Sequence, residues 1–592
     1  MSYRTHTCGE LTTSDLGSTI KLSGWIDSLR NMGGLVFIDL RDRYGITQIT
    51  LDPAIVGQEI VDKASKLHNE YVVSIAGEVI ARPDNMKNPD MTTGEIEIRA
   101  SDLEVLSASK VLPFAIAPDP KTSEENRMKY RYLDLRREQI KDNIVFRARM
   151  NQFTRDRFTE QGFLEVQTPI FSVSSPEWSR DYLIPSRINP GKFYALPQAP
   201  QQYKQLLMVW GIDKYFQIAP CFRDEDPRSD RAMCEFYQID FEMSFVKQED
   251  VMQIIQQFSL EAAKTLTPDK SIKFGDDIPH ISYRDAMNRY GIDRPDLRFG
   301  MEIEDFSDLF AESEFALFAS TIQDWGYVRA LKLDQQTMSR KEIDALTDHV
   351  KRIGAGGLPY LIFEEDEVRG SVAKALSENE IETMRERLDA KSGDMAFFWV
   401  WSYAQVCKTL HHTRIYLRDK YDLVSDDELA FCFVVDFPFF EQDEETWEWD
   451  YGHNPFSEVV GGLEALETQD IAEIMTRQYD IVLNGFEIGG WSIRNHNPEI
   501  LVKVFEKLGY DESYIKEQFG TMYEAFQYGV PPHGGCAFGF DRLMMILTDE
   551  PNIREVYAFP KSGRAQDVMM GAPSLVEPQD LEELSIEVKV RE

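Results

Sequence analysis

Residues 221–245 read CFRDEDPRSDRAMCEFYQIDFEMSF, a knot of mixed charge from Arg223 to Arg231 held between two stretches with strand character. In YFQIAPCFR the positions Tyr215, Gln217, Ala219, Cys221 and Arg223 fall on one side; in EFYQIDFEMSF the positions Phe236, Gln238, Asp240, Glu242 and Ser244 do the same. The alternation predicts two neighbouring strands with a polar face. A solvated hairpin would account for the charges alone. It gives no reason for Arg223, Gln238 and Asp240 to leave the strands on the polar side beside large aromatics. The stretch therefore reads as part of a sheet with one working face.

The chain has 592 residues, 43% of them hydrophobic, which is too long for one core and predicts about three or four domains. The net charge of −37 argues against unguided binding to polyanions while leaving room for a local basic surface. Cys8, Cys221, Cys234, Cys407, Cys432 and Cys536 form no CxxC pair, so neither a zinc site nor a disulfide framework is indicated. A reducing cytoplasm fits. The opening MSYRTHTCGELTT has no apolar signal core, and no uncharged apolar run is long enough to cross a bilayer.

From Ile20 to about Leu106 the sequence alternates in five short strands, with the helix-like IVGQEIVDKASKLHNE after the third. That is the pattern of a Greek-key barrel of the OB type, expected over residues 1–107. Arg30, Phe37 and Gln48 would offer unpaired bases a cation, a stacking ring and an amide. A polar, proline-bearing linker or hinge (108–140) includes MKYRYLDLRREQIKD, whose Lys129, Arg131, Arg136 and Arg137 are candidates for phosphate contact. A long amphipathic helix opens the next domain at 141 and runs into GFLEVQTP. Mixed α+β text from 299 to 425 looks like an insertion between two parts of one domain, 141–298 and 426–560, before a C-terminal extension, 561–592. The later half supplies YDIVLNGFEIGGWSIRNHNPE, read as one further polar strand, and GCAFGFDRLMMILT, read as a glycine-flanked turn into an apolar helix.

A helix and strand ending at Pro169, FRDE followed by EFYQID, and GFDR opening a helix resemble motifs 1, 2 and 3 of class II aminoacyl-tRNA synthetases. With the barrel, YALPQAPQQYKQLLM and the large insertion, the chain is most similar to the bacterial aspartyl type, over nearly its whole length. The implied fold is α+β and multidomain: an OB-type anticodon-binding barrel, a class II antiparallel-sheet catalytic domain and an inserted α+β domain. The implied activity is ATP-dependent activation of L-aspartate, with Mg²⁺, and transfer to the 3′ end of tRNA(Asp), and tRNA(Asn) as a further acceptor. A cytoplasmic homodimer is expected from motif 1.

Adenylate formation brings a carboxylate in line with the ATP α-phosphorus while negative charge spreads over the phosphoryl oxygens, so placed cations carry the catalysis. The resemblance assigns Arg223 to the α-phosphate and carboxylate, Glu225 to the adenine side, Phe236 to stacking on the base and Arg542 to covering the nucleotide. Asp224, Gln238, Gly539, Phe540 and Asp541 complete the implied ATP set. Asp480 and Glu487 would hold Mg²⁺. Arg494 and Lys204 would meet the aspartate side chain, with Glu177, Gln201, Asp240 and His453 around the amino acid. Arg30, Met32, Phe37, Gln48 and Glu95 would contact tRNA, Met32 lying in the loop that bears on acceptance of tRNA(Asn).

The sequence departs from that pattern at the pocket. Trp178 and Trp491 stand where the family has glycine, Met233 and Cys234 where it has Pro and Gly, and Trp210, Trp399 and Trp401 where small residues are expected. Related asparagine and lysine enzymes are disfavoured by the insertion and by the pairing of Lys204 with Arg494. A second reading stays open: a non-catalytic or altered-specificity relative whose amino-acid pocket is filled by tryptophan and which still binds tRNA.

Overall fold

The computed structural model describes residues 2–117, 121–174, 179–226, 229–231, 234–443, 446–452 and 454–589, in two compact units, residues 1–141 and 142–592. Among the described residues no helix is long and apolar enough to cross a membrane.

In the first unit, strands Thr19–Met32, Leu35–Arg41, Ile46–Leu51, Ile96–Ser107 and Val72–Ala81 close, in that order, into a barrel. Every second residue of Leu35–Arg41 is buried (Val36, Ile38, Leu40), which places Phe37 and Asp39 on the outer face. The helix expected after the third strand is present as two short pieces, Pro53–Val56 and Gln58–Ala64. The basic stretch behind the barrel departs from expectation. Arg131 is buried against Asp134, Arg137 lies 3.3 Å from the same carboxylate, and Arg136 pairs with Glu70 at 2.7 Å while covering the Trp25 ring. Three of the four cations are thus engaged in structural ion pairs, because buried Asp134 and Glu70 need partners once they leave water.

The second unit is built on an eight-stranded sheet. Its order is His280–Ser282, Phe431–Pro438, Met475–Leu483, Phe486–Ser492, His533–Gly539, Cys234–Ser244, Lys214–Arg223 and Leu164–Glu165. The two strands of the opening stretch are neighbours and antiparallel: Tyr215 faces Glu242, Gln217 faces Asp240, and Cys221 faces Phe236. Their other sides carry Phe216, Ile239 and Phe241 into the main core. There the ring of Phe158, on the helix Glu138–Glu160, stacks on Phe216 at 5.1 Å.

Two elements differ from the sequence reading. Residues 475–492 form two strands, because Asn484 (φ 52°) and Gly485 (φ 85°) make an Asn-Gly hairpin turn, the dipeptide that tolerates left-handed φ twice in succession. GCAF is the end of the strand His533–Gly539, and the apolar helix Phe540–Leu547 starts directly after it.

Between residues 303 and 401 lies a five-stranded sheet, ordered Ile303–Asp305, Tyr327–Leu333, Met395–Trp401, Tyr360–Phe363, Val368–Gly370. Alternate residues of Met395–Trp401 serve two cores: Phe397 and Trp399 on one face, Phe398 and Val400 on the other. Burial on both faces explains its unbroken apolar run. The Arg414 guanidinium is fully buried, donating to the carbonyls of Asp296, Phe299, Gly300 and Met301, and it ties this region to the segment that leads into it.

Candidate active site

A cavity of about 520 Å³ opens over the polar face of the eight-stranded sheet. The strand Lys214–Arg223 delivers Arg223 to its wall, and the strand Cys234–Ser244 delivers Phe236 and Gln238. The Arg223 guanidinium lies 4.9 Å from the centroid of the Phe236 ring and its Nε is buried without a hydrogen-bond partner among the described residues. A cation on an aromatic plane with a spare N–H suits an anionic ligand carrying a flat ring. Glu225 closes this side through Arg231 at 2.7 Å.

Arg542 enters from the helix Phe540–Leu547 and donates to the Glu487 carbonyl, while its other amino group lies 3.3 Å from Asp230. Burial lowers its pKa, and the facing Glu487 and Asp230 counter that. Gly539 and Asp541 also line the cavity. The Asp541 carboxylate, however, is held by Arg147, the Tyr557 hydroxyl and the Tyr237 amide, so it fixes the start of the helix. Phe540 is fully buried in the core and does not reach the cavity. Asp224 lies outside it too, its amide donating to the Arg180 carbonyl.

Asp480 and Glu487, read from the sequence as residues of one strand, sit on the two arms of the hairpin. A bulge at Ile481/Val482 and the bare Gly490 let them converge: a Cβ on Gly490 would come within 2.2 Å of Asp480 Oδ1 and 3.4 Å of Glu487 Oε1. Burial, then Glu487 and Asp293, push the Asp480 carboxyl well above the usual range. Two carboxylates this close, one of them desolvated, are a hard-oxygen donor set that fits a divalent cation shared with phosphates.

Below the cavity floor lies a fully buried charge cluster. Arg494 donates through Nε and a terminal nitrogen to both oxygens of Glu242, at 2.8 and 3.1 Å, and Lys204 bridges Asp240 and, at 3.3 Å, Glu242. Burial works against Glu242, but Arg494 and Lys204 outweigh it and hold this carboxyl below its ordinary range. For Asp240 burial wins over Lys204 and the carboxyl is pushed up. The sequence reading missed Glu242 as a partner of Arg494, although it is the next same-face residue after Asp240 and the alternation pointed to it.

The Trp491 indole covers these cations, 4.3 Å from Lys204 Nζ and 5.0 Å from the Arg494 guanidinium carbon, and lines the cavity itself. Lys204, Asp240 and Arg494 therefore do not line the cavity, whereas Gln201 does, with both amide atoms unpartnered among the described residues. Glu177, Trp178, Met233 and His453 lie outside the described residues.

On the barrel, Arg30 lies opposite Phe37 and donates to Asp39 at 3.0 Å and to Gln48 at 3.2 Å; Gln48 donates on to Glu97. Met32 is exposed at the end of the same strand as Arg30, and Glu95 is 3.9 Å from Lys87.

Residues 123–563 match the family described as tRNA synthetases class II (D, K and N), and residues 20–106 match an OB-fold nucleic acid binding domain. The chain is 47% identical over 591 residues to an Aspartate--tRNA(Asp/Asn) ligase of Chlorobaculum parvum, covering 100% of this chain and 97% of that one. It is 47% identical to an Aspartate--tRNA ligase of Streptomyces avermitilis, covering 99% of each. Among solved structures, a putative aspartyl-tRNA synthetase of Leishmania major aligns with a TM-score of 0.58 at 18% identity, covering 95% of this chain and 94% of that chain. An asparaginyl-tRNA synthetase of Pyrococcus horikoshii, complexed with asparaginyl-adenylate, aligns at 0.56 and 18%, covering 94% and 98%. Sequence relatedness over the full length, the closed barrel and the arginine-lined sheet agree: the chain belongs to the class II aminoacyl-tRNA synthetases of the aspartate, asparagine and lysine group.

Proposed function

We propose that the cavity binds ATP and L-aspartate, joins them as aspartyl-adenylate with release of pyrophosphate, and passes the aspartyl group to the 3′ end of tRNA(Asp), with tRNA(Asn) as a further acceptor. The observation that carries this reading is one sheet face bearing both an arginine–aromatic cleft and, directly beneath, two buried cations. Arg223 neutralises charge developing at the α-phosphate, Phe236 stacks on the base, and Arg542 covers the nucleotide. Asp480 and Glu487 would hold Mg²⁺, which would supply charge neutralisation at the phosphates. Arg494 and Lys204 select the side-chain carboxylate, since asparagine would leave buried positive charge unanswered. Gln201, which lines the cavity, would meet the amino group, with Asp240 buried beneath the floor; the family pattern assigns Glu177 and His453 to the same substrate. The barrel face around Arg30, Phe37 and Gln48, with Met32 and Glu95 at its edge, reads the anticodon.

The active particle is a homodimer. Leu164, on the edge strand of the sheet, and Ile170, Phe171, Val173, Leu183 and Phe193 are all exposed apolar residues. Ser172 and Ala195 form a single β-bridge and Phe171 packs edge-on against Tyr194, so the segments around Phe171 and Phe193 are neighbours and leave several apolar side chains exposed together. Six cysteines outside any disulfide suit a reducing cytoplasm.

The indole over Lys204 and Arg494 favours a second reading, in which the amino-acid pocket is closed and only nucleotide and tRNA bind. Aspartate-dependent exchange of pyrophosphate into ATP separates the two. Exchange with aspartate, and none with asparagine or lysine, is expected; exchange supported better by asparagine overturns the assignment.

A further inference from the structure

The eight tryptophans among the described residues fall into two sets. Trp25 is half-buried with the Arg136 guanidinium 5.1 Å from its ring, and Trp449 packs against the core around Phe439 and Phe440. Neither shows strain or an unmet polar atom. Six others do not fit where they stand.

Trp325 (φ 63°) and Trp447 (φ 60°) have left-handed backbones, and their rings are 92% and 72% exposed. Left-handed φ is an outlier for so bulky a residue. Among the described residues two of eight tryptophans adopt it, against one, Phe245, of 36 phenylalanines. The setting of Trp325 is specific. It follows the helix Ala316–Gln323 and the cap Asp324, its amide donates to Ile322 at 3.1 Å, and the Gly326 amide donates to Thr321 at 2.8 Å. This is a Schellman turn with tryptophan at the position that glycine usually fills.

Trp399 and Trp491 fail differently: each indole N–H is buried with no acceptor among the described residues, although buried indoles normally find one. Trp210 and Trp401 put rings that are 75% and 62% exposed at the ends of a helix and a strand. Two of these six carry left-handed backbones, two an unpartnered buried N–H and two largely exposed rings, spread over unrelated elements, and the left-handed φ of Trp325 and Trp447 is the conformation that glycine adopts without strain.

We infer that positions 210, 325, 399, 401, 447 and 491 are glycine positions: the gene carries there a codon, such as UGA, whose meaning depends on the tRNA that reads it, and the producing cell reads it as glycine. Position 491 is then the specificity-determining one. The run becomes three consecutive glycines, no side chain separates the cavity from Lys204 and Arg494, and the carboxylate-binding end of the pocket is open. That consequence rests on the aspartate reading above; the decoding does not.

Two measurements test this. The first reads the nine tryptophan codons, Trp178 included, and weighs the tryptic peptides of the full chain isolated from its own cells. One shared codon at the six positions, different from UGG at 25 and 449, is expected, with peptides lighter by the tryptophan-to-glycine difference at each. UGG throughout, or peptides of tryptophan mass, overturns the inference. The second compares exchange by the recombinant chain as written with Trp491→Gly and with the chain carrying glycine at all six positions. An increase of at least about tenfold in kcat/KM for aspartate is expected in both variants. Equal, robust exchange in all three refutes the closed pocket. Glycine-mass peptides with no aspartate exchange in any chain would sink the substrate assignment and leave the decoding standing.

Discussion

At the residue scale the site is governed by what the buried charges do for one another. Arg494 holds Glu242 by a fork of two hydrogen bonds, so replacing it by alanine would strand a buried carboxylate and confuse loss of function with loss of fold. Arg494→Lys keeps the charge and removes the fork. The aspartate KM should rise about 10- to 100-fold, as expected for one charge-assisted contact, with the ATP KM unchanged. A change confined to ATP, followed by exchange kinetics, would place Arg494 elsewhere. His533 gives a second test. Burial is the main cause of its pKa falling to about 4, opposed by Glu242 and by its bond to the Pro531 carbonyl and assisted by Arg494 and His496. A histidine whose folded pKa is depressed contributes stability in full above its unfolded value of 6.5 and loses it as pH falls through 4. The swing is roughly 3 kcal/mol. His411, pushed to about 3 by burial, acts with the same sign. Urea midpoints between pH 7 and 4 should therefore fall steeply, and His533→Gln should remove about half of that slope. An unchanged slope would mean that His533 is protonated in the fold.

At the element scale, strand alternation carries function in both units. On the outer face of the barrel, Arg30, Phe37, Asp39 and Gln48 form one hydrogen-bonded strip with a ring in its middle. Phe37→Ala should weaken tRNA binding by about tenfold, the lower end of what one stacked base contributes, and leave aspartate-dependent exchange unaltered. Equal loss of both activities would point to a packing role. The hairpin Met475–Leu483/Phe486–Ser492 shows why the acidic pair Asp480 and Glu487 was only half legible. Both carboxylates were found in the sequence, but their meeting depends on the Asn484–Gly485 turn and on a bulge that realigns the register. The same turn chemistry marks Trp325 and Trp447 as misplaced.

At the scale of the whole molecule, the exposed apolar face beside the edge strand Leu164–Glu165 is the feature a monomer explains worst. Sedimentation should report twice the 68.4 kDa of one chain. Phe171→Glu together with Val173→Glu should shift it to a single chain. Monomer behaviour of the unaltered protein would refute the assembly. The net charge of −37 makes tRNA binding depend on local surfaces, and Arg131, Arg136 and Arg137, already paired within the first unit, should contribute little to its salt dependence.

The sequence by itself determined the barrel, the two central strands with their common face and part of the cavity lining, Arg223, Phe236, Asp480, Glu487 and Arg542 among it. Period-two alternation and turn dipeptides are local codes, and these elements obey them. Only the tertiary structure decided which polar residues are free to act. It sent Phe540 and the Asp541 carboxylate to structural work, paired Arg494 with Glu242 from a strand some 250 residues away in sequence, and withdrew the basic stretch behind the barrel into ion pairs. Burial and charge pairing are set by neighbours distant in sequence, and a one-dimensional pattern carries no record of them. The tryptophans mark the same boundary: the sequence singled out Trp210, Trp399, Trp401 and Trp491, while the left-handed backbones of Trp325 and Trp447 and the orphaned N–H groups of Trp399 and Trp491 are visible only in the structure.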